Sequence, residues 1–170
     1  RMTWIVGGAG TDETFNGIIN NDCSAKGHYG ITSIVKEGTG IWRLNGANVY
    51  TGTTVVRDGT LIVNGNHSGT ASVTVQDGAT LTGKGRLRSV VTVQSGGTLE
   101  AGDESTSAFY MASLTLNEGA QVNVEINKNT GSNDRFGVGA ARYNGTLNLL
   151  IDGALEAGDK FTLFTATSHN

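Results

Sequence analysis

The chain has 170 residues, of which 26 are glycine and none is proline, so neither collagen nor proline-rich disorder is expected. Twelve basic and fifteen acidic residues give a net charge of −3, and no basic run could follow a phosphate backbone, which argues against nucleic acid as a partner. One cysteine, Cys23, rules out an intrachain disulfide, and no stretch approaches the roughly 18 apolar residues of a membrane helix.

The N-terminal part of the chain carries weak signals only. Residues 1–7 are too short in their apolar part for a signal peptide, so we expect the targeting information to lie outside the chain. Residues 7–12 resemble one calcium-binding nonapeptide repeat, but that site needs stacked copies and an apolar residue where Glu13 stands, so we predict a turn. Cys23 has no evident partner base, and His28, His67 and His169 lack metal-ligand spacing.

A repeat becomes visible further along the chain. Four segments share an alternating apolar pair, two polar residues, a glycine and a second short apolar stretch: residues 54–61, 73–81, 91–99 and 114–122. Their glycines, Gly59, Gly78, Gly96 and Gly119, lie 19, 18 and 23 positions apart. The longest interval contains the polar residues 102–107, which predict a loop insertion.

A period near 20 that contains only short strands predicts the coils of a parallel β-helix. Two apolar columns should then face inward: Val56, Val75, Val93 and Leu116, and Leu61, Leu81, Leu99 and Val122. The lack of proline agrees with this prediction, because strands inside a ladder need every N–H, and glycine suits corners of positive φ. The alternative is an antiparallel sandwich with hairpins at Asp58-Gly59, Asp77-Gly78 and Asn144-Gly145, which does not predict similarity one period apart.

The candidates for chemistry each have a structural interpretation. Residues 78–85 match a phosphate-binding loop except that Gly85 replaces the final Ser or Thr, so we predict a solenoid corner. Asp58, Asp77 and Glu118 share a column with Ser95, and stacked carboxylates can form a glycosidase pair. Each of them directly precedes glycine, however, where such side chains hydrogen-bond to a turn, and we predict that role.

Residues 40–61 carry the most specific pattern in the chain. The positions that define it are Gly40, Trp42, Leu44, Gly46, Asn48, Tyr50, Gly52, Thr54, Val56 and Gly59. This pattern closely resembles the β-strand repeat of autotransporter passenger domains, the secreted β-helical arms of Gram-negative bacteria. Residues 15–19 and 133–161 are similar to the strand before such repeats and to the last passenger coils. Trp42 and Tyr50 could form a carbohydrate platform, but Trp42 alternates in phase with Leu44, and we predict that both rings fill the core.

The resemblance implies a right-handed, single-stranded parallel β-helix of the pectin-lyase-like kind, with coils of about 18–23 residues. We expect residues 1–170 to be a single β-solenoid fragment of a longer passenger protein, with the repeat core at about 38–125 and the last coils at about 133–167. We predict no catalytic, cofactor-binding or metal-binding residues, and no cofactor.

The function implied is that of a non-enzymatic stalk, exported across the outer membrane to the cell surface or beyond. It would present an effector or adhesive region and aid export by folding. The expected partners are a host surface protein or a glycan, and other copies of the chain joined end to end, with membrane contact only through a C-terminal barrel outside the fragment. The alternatives left open are a β-helix that binds or cleaves polysaccharide and an adhesin that contacts host protein.

Overall fold

A computed structural model describes residues 1–21, 30–103 and 105–169, and in these residues the ordered elements are β-strands, with no helix. The strands are β1 (Met2–Val6), β2 (Glu13–Phe15), β3 (Thr32–Lys36), β4 (Ile41–Leu44), β5 (Thr54–Val56), β6 (Thr60–Val63), β7 (Asn66–His67), β8 (Ser72–Val75), β9 (Thr80–Thr82), β10 (Arg86–Val93), β11 (Thr98–Leu99), β12 (Ala108–Leu116), β13 (Gln121–Asn127), β14 (Ser132–Asn133), β15 (Arg135–Tyr143), β16 (Thr146–Asp152) and β17 (Phe164–His169). Most of them are short, as the close spacing of the glycines predicts.

The chain winds as a parallel β-helix. One sheet has the order β1-β3-β5-β8-β10-β12-β15-β17, and the second has β2-β4-β6-β9-β11-β13, with β16 also paired to β13. These neighbours are parallel and come from successive turns of the chain, whereas β13 and β14 pair antiparallel in a local hairpin. The fold class predicted from the sequence is confirmed, and the strand order excludes the antiparallel sandwich. Right-handed winding remains the expectation, as for nearly all parallel crossovers.

The longer strands add a third face to the solenoid. The first residues of β10, Arg86 and Leu87, pair with β7, whereas residues 90–93 pair with β8. A register shift between Leu87 and Val90 marks the bend at which β10 passes from one face to the next. Strands β12 and β15 stack on β10 through the same bend, so the third face continues toward the C-terminal coils.

The predicted coil length holds in the repeat and changes outside it. Successive partners in the first sheet are Ile34, Thr54, Val73, Val91 and Leu114, which are 20, 19, 18 and 23 positions apart. The first coil is longer, because Met2 pairs with Thr32, 30 positions away. The last two are also longer, because Leu114 pairs with Ala141 and Ala141 with His169, at intervals of 27 and 28.

Both predicted inward columns are confirmed as continuous ladders. Val56, Val75, Val93 and Leu116 are paired in that order, and so are Leu61, Leu81, Leu99 and Val122. None of these eight side chains is more than 5% exposed. Burying one Val or Leu side chain stabilises a fold by about 1.5–3 kcal/mol, so the two columns form a large part of the hydrophobic core.

The four marker glycines form the corners, as predicted. Gly59, Gly78, Gly96 and Gly119 all have positive φ, between 62° and 81°, a region that other residues rarely adopt. Their amides also join neighbouring coils: Gly78 N–H donates to Gly96 O at 3.1 Å, and Gly96 N–H donates to Gly119 O at 3.0 Å. A side chain at Gly59 would in addition collide with the carbonyl oxygen of Gly38.

Candidate functional site

The column of acidic residues lies at an exposed corner of the solenoid. Asp58, Asp77, Ser95 and Glu118 are all exposed there. The Asp58 Oδ1 atom accepts a hydrogen bond from Gly59 N–H at 2.8 Å, which is the turn-forming role predicted from the sequence. A carboxylate occupied in this way is solvated and fixed to its own turn.

The calcium-like stretch at residues 7–12 is also part of a turn. Asp12 Oδ1 accepts a hydrogen bond from Ile41 N–H, at 2.8 Å, and so joins the first coil to the second. Nowhere in residues 1–21, 30–103 and 105–169 do three or more His, Cys, Asp or Glu side chains form a group able to hold a metal ion. In the stretch that resembles a phosphate-binding loop, β9 is followed by Gly83 and then by β10, without the helix that such a loop requires.

Lys36 is a buried cation that the repeat pattern does not reveal. It occupies an inward ladder position between Val6 and Val56. Its Nζ donates hydrogen bonds to the carbonyl oxygens of Glu37 (3.0 Å), Gly38 (2.7 Å) and Asp58 (3.1 Å). Burial lowers the pKa of Lys36, while the nearby Asp58 and Asp12 carboxylates oppose that shift. The three carbonyls belong to two successive corners, so the ammonium group fastens two coils together.

The aromatic residues of the recognised repeat lie in the core, as predicted. Trp42 is 7% and Tyr50 1% exposed, so neither ring offers a face to a sugar. The Tyr50 hydroxyl is hydrogen-bonded to Thr54 Oγ1 at 2.6 Å, which satisfies its polar atom inside the core.

Asn48, a position of the repeat pattern, holds three coils together. Its Oδ1 accepts a hydrogen bond from Ile19 N–H at 2.7 Å, and its Nδ2 donates to Gly46 O at 3.1 Å and to His67 Nε2 at 2.8 Å. Because His67 Nε2 accepts this bond, the imidazole is neutral. Burial lowers the pKa of His67 to about 4.

Asp134 is a second buried charge at a junction between coils. One carboxylate oxygen accepts from Ser107 N–H and the other from Glu125 N–H, both at 2.9 Å. Burial raises the pKa of Asp134, and the two backbone hydrogen bonds partly offset this shift. Asp134 thus holds the start of β15 to the loop before β12 and to β13. Neither Lys36 nor Asp134 repeats at the glycine period, so the repeat pattern could not reveal them.

Among the histidines and the single cysteine named as candidates, His169 lies in β17, whereas Cys23 and His28 fall outside the described residues. Over the described part of the chain, no helix is long and apolar enough to span a membrane.

The comparisons with known proteins comprise one family model and two relatives, and the family model falls on the residues of the first complete coils. The family model described as the passenger-associated-transport-repeat matches residues 34–63, from within β3 to the end of β6. The Extracellular serine protease of Serratia marcescens is 30% identical over 159 residues, which cover 87% of this chain and 14% of that protein. The Adhesin BmaC autotransporter of Brucella suis biovar 1 (strain 1330) is 40% identical over 74 residues, 43% of this chain and 2% of that protein.

These matches confirm the resemblance drawn from residues 40–61. The chain spans 14% and 2% of the two relatives' own lengths, so the similarity covers a region of each and not the whole protein.

Proposed function

We propose that this chain, an autotransporter passenger repeat region, is a non-enzymatic stalk that carries an effector or adhesive region away from the cell. The observation that supports this most directly is the uninterrupted inward ladder Val56-Val75-Val93-Leu116. Each coil rests on the one before it at about 4.8 Å. Stacked coils of this kind make a stiff rod, the property that a spacer between a cell and its target needs.

The absence of catalysis in this region is part of the proposal. The name of the serine protease relative describes an activity of that protein, and this chain covers 14% of that protein's length. In this chain, Asp58 is bonded to its own turn, and Lys36, His67 and Asp134 are buried with backbone or side-chain partners. A catalytic group must be free to act on a substrate, whereas Asp58 is held in its own turn and the three buried side chains join separate segments of the solenoid.

We also propose that the region is exported to the cell surface or beyond and that its folding assists export. The stability of a solenoid is close to a sum over neighbouring coil interfaces, and its folding can propagate from one coil to the next. A chain that crosses the outer membrane in sequence order can therefore add coils one at a time. Each folded coil then hinders the chain from sliding back through the export pore.

The test is the export of the complete protein from its own gene, with two variants that differ only in position. Val75→Asp places a carboxylate in the buried ladder, whereas Val90→Asp places the same group at a position where the valine side chain is 45% exposed. We expect Val90→Asp to reach the cell surface at the parent rate and Val75→Asp to be exported more slowly, as measured by surface labelling over time. Export of Val75→Asp as fast as the parent would refute assistance by folding.

The stalk itself has a separate measurement. Electron microscopy of the purified complete protein should show this region as a rod. A substrate-cleaving activity in the isolated chain, assayed on polysaccharides and on casein, would contradict the non-enzymatic role.

A further inference from the structure

The third face carries a row of cations at the bend of β10. Lys84, Arg86 and Arg88 alternate with buried residues, so all three side chains point outward and are exposed. None of the three forms a salt bridge with another described residue. Arg43 and Arg57, in contrast, pair with the carboxylates of Asp103 and Glu37. The row is therefore a patch of unneutralised positive charge in a chain of net charge −3.

A cleft of about 530 Å³ lies beside this row. Its rim is formed by Arg86, Arg88 and Tyr110, and its far side by Thr165. A second hollow, of about 270 Å³, continues past Lys84 and shares Arg86 and Tyr110 with the first. Among the described residues, no aspartate or glutamate lines either hollow. The cleft therefore has positive charge and no counter-charge from the part of the chain that the structure describes.

The floor of the cleft is made by residues without side-chain bulk. Ala112 and Gly139 lie along it, whereas Gly137 is buried beneath the ring of Tyr110. Glycine in a strand often marks a place where a ligand or another backbone approaches closely, and here the carbonyl oxygen of Ala112 lies against Gly139. The strands that carry Tyr110 and Thr165, β12 and β17, are two inter-strand spacings apart, about 10 Å. This width suits one extended polymer chain.

A contact with Tyr110 holds Arg86 in place without a ligand. The Arg86 guanidinium carbon lies 4.7 Å from the centre of the Tyr110 ring, in a cation–π contact. The ring itself lies across Gly137, where a Cβ atom would collide with it. Stacking leaves the in-plane N–H groups of a guanidinium free, and that fork matches a carboxylate or sulfate.

From these observations we propose that the cleft between Arg86, Arg88 and Thr165, here named the β10 cleft, binds an acidic polysaccharide. The arginines bind the carboxylate or sulfate groups of the sugar chain, and the edge of Tyr110 and the floor at Ala112 and Gly139 contact its rings. A folded protein partner fits less well, because a trough one or two strands wide admits a single chain and not a broad surface.

The test measures binding of the folded chain to three polymers of similar length: polygalacturonate, dextran sulfate and neutral dextran. We expect binding of at least one acidic polymer, weakened by added salt, and none of dextran. The stronger of the two acidic polymers identifies the anion as carboxylate or sulfate. Failure of both to bind, or equal binding of dextran, would overturn the proposal.

Matched variants locate the site. Arg86→Gln should weaken binding about tenfold, as expected for losing a charge-assisted hydrogen bond. Arg142→Gln removes the same charge from an exposed position outside the cleft and should leave affinity within about twofold of the parent, a screened long-range effect. Equal losses from both variants would mean that only net charge matters, which contradicts the assigned cleft.

A second pair of variants leaves both arginines in place. Ala112→Glu puts a carboxylate on the exposed floor of the β10 cleft, and Ala112→Gln puts a neutral group of the same size there. We expect Ala112→Glu to reduce affinity more than Ala112→Gln by at least about tenfold, because only the carboxylate repels the ligand and pairs with the arginines. Equal effects of the two variants would refute recognition of an anion.

Discussion

Val124 and Leu149 are register partners on neighbouring coils, yet one is fully buried and the other is 45% exposed. Both face inward, on β13 and β16. Val124 is covered by coils on both sides, whereas β16 lies at the edge of its sheet, where Leu147 and Ile151 are similarly exposed. Burial in this fold is therefore conferred by the adjacent coil and not by the side chain itself.

The same contrast holds at the first strand. Trp4 pairs with Ile34 in the ladder, but Trp4 is 37% exposed and Ile34 is completely buried. The polar contacts between coils follow the same rule, since Lys36, Asn48 and Asp134 each find a partner on a coil beside their own. The central coils and the two edge coils should therefore respond very differently to the same substitution.

The largest effect is expected for a charge in the central ladder. Val75→Asp loses about 1.5–3 kcal/mol of burial, and a buried unpaired carboxylate adds several kcal/mol more. Against a total stability of about 5–15 kcal/mol, this should unfold at least the neighbouring coils, as thermal melting would show.

Two controls accompany Val75→Asp. Val90→Asp, on the exposed face, and Asp77→Asn, which keeps a turn-forming side chain, should each cost less than about 1 kcal/mol. A Val75→Asp protein as stable as the parent would show that burial in the centre of the solenoid is not what holds it together. A folded Asp77→Asn that lost an activity of the parent would instead expose a catalytic site.

The next effect concerns the buried ammonium of Lys36. Lys36→Met keeps the length and apolar stem of the side chain but leaves three carbonyl oxygens without this donor. We expect a loss of about 3 kcal/mol of unfolding free energy, measured by denaturant titration. Lys84→Met, the same change at an exposed position, should stay within about 0.5 kcal/mol of the parent. Equal effects of the two changes would refute the fastening role.

The repeat allowed the central coils to be predicted from the sequence, but it did not predict the lengths of the first and last coils. The regular spacing of the marker glycines set the period, and the period decided which valines and leucines face inward. The longer first and last coils lack that marker, so nothing in their sequence announced the wider intervals between register partners there.

The polar contacts between coils were not predictable for a different reason. Lys36 stands where the two neighbouring coils have valine, and its partners are backbone carbonyls, which carry no sequence signal. The contact of Arg86 with Tyr110 joins residues 24 positions apart on an outward face, where the repeat imposes no residue type. Outward positions of a β-helix are free to vary, so only the register shows which of them meet.

A smaller effect is expected from pH, through His67. Its pKa is about 4 in the folded chain and near 6.5 when unfolded, so below pH 6.5 the unfolded state takes up a proton that the folded state does not. The contribution of neutral His67 to the unfolding free energy is therefore complete above pH 6.5. It falls as the pH drops toward 4, by up to about 3 kcal/mol at 1.36 kcal/mol for each pKa unit. His67→Gln should remove this part of the decline in denaturant titrations across that range. An unchanged slope in the variant would contradict the neutral, buried imidazole.

The smallest change in stability is expected at the edge coil, where it tests the contrast between Val124 and Leu149 directly. Leu149→Asp places a carboxylate on the same ladder as Val124→Asp, one coil further on. Because Leu149 is already 45% exposed, the new charge remains hydrated, and we expect a loss of about 1 kcal/mol or less, against several kcal/mol for Val124→Asp.

The edge substitution should have its main effect on association. We propose that the parent chain associates end to end, the open edges of β17 and β16 receiving the β1 and β2 edges of a second copy, because open strand edges with apolar inward residues recruit further strands. Sedimentation velocity should then show larger species as the parent's concentration rises, and Leu149→Asp should shift the population toward monomer while its melting temperature stays near the parent's. A parent that remains monomeric at high concentration would refute end-to-end association. A Leu149→Asp chain destabilised as much as Val124→Asp would show that the edge coil is held by more than its one neighbouring coil.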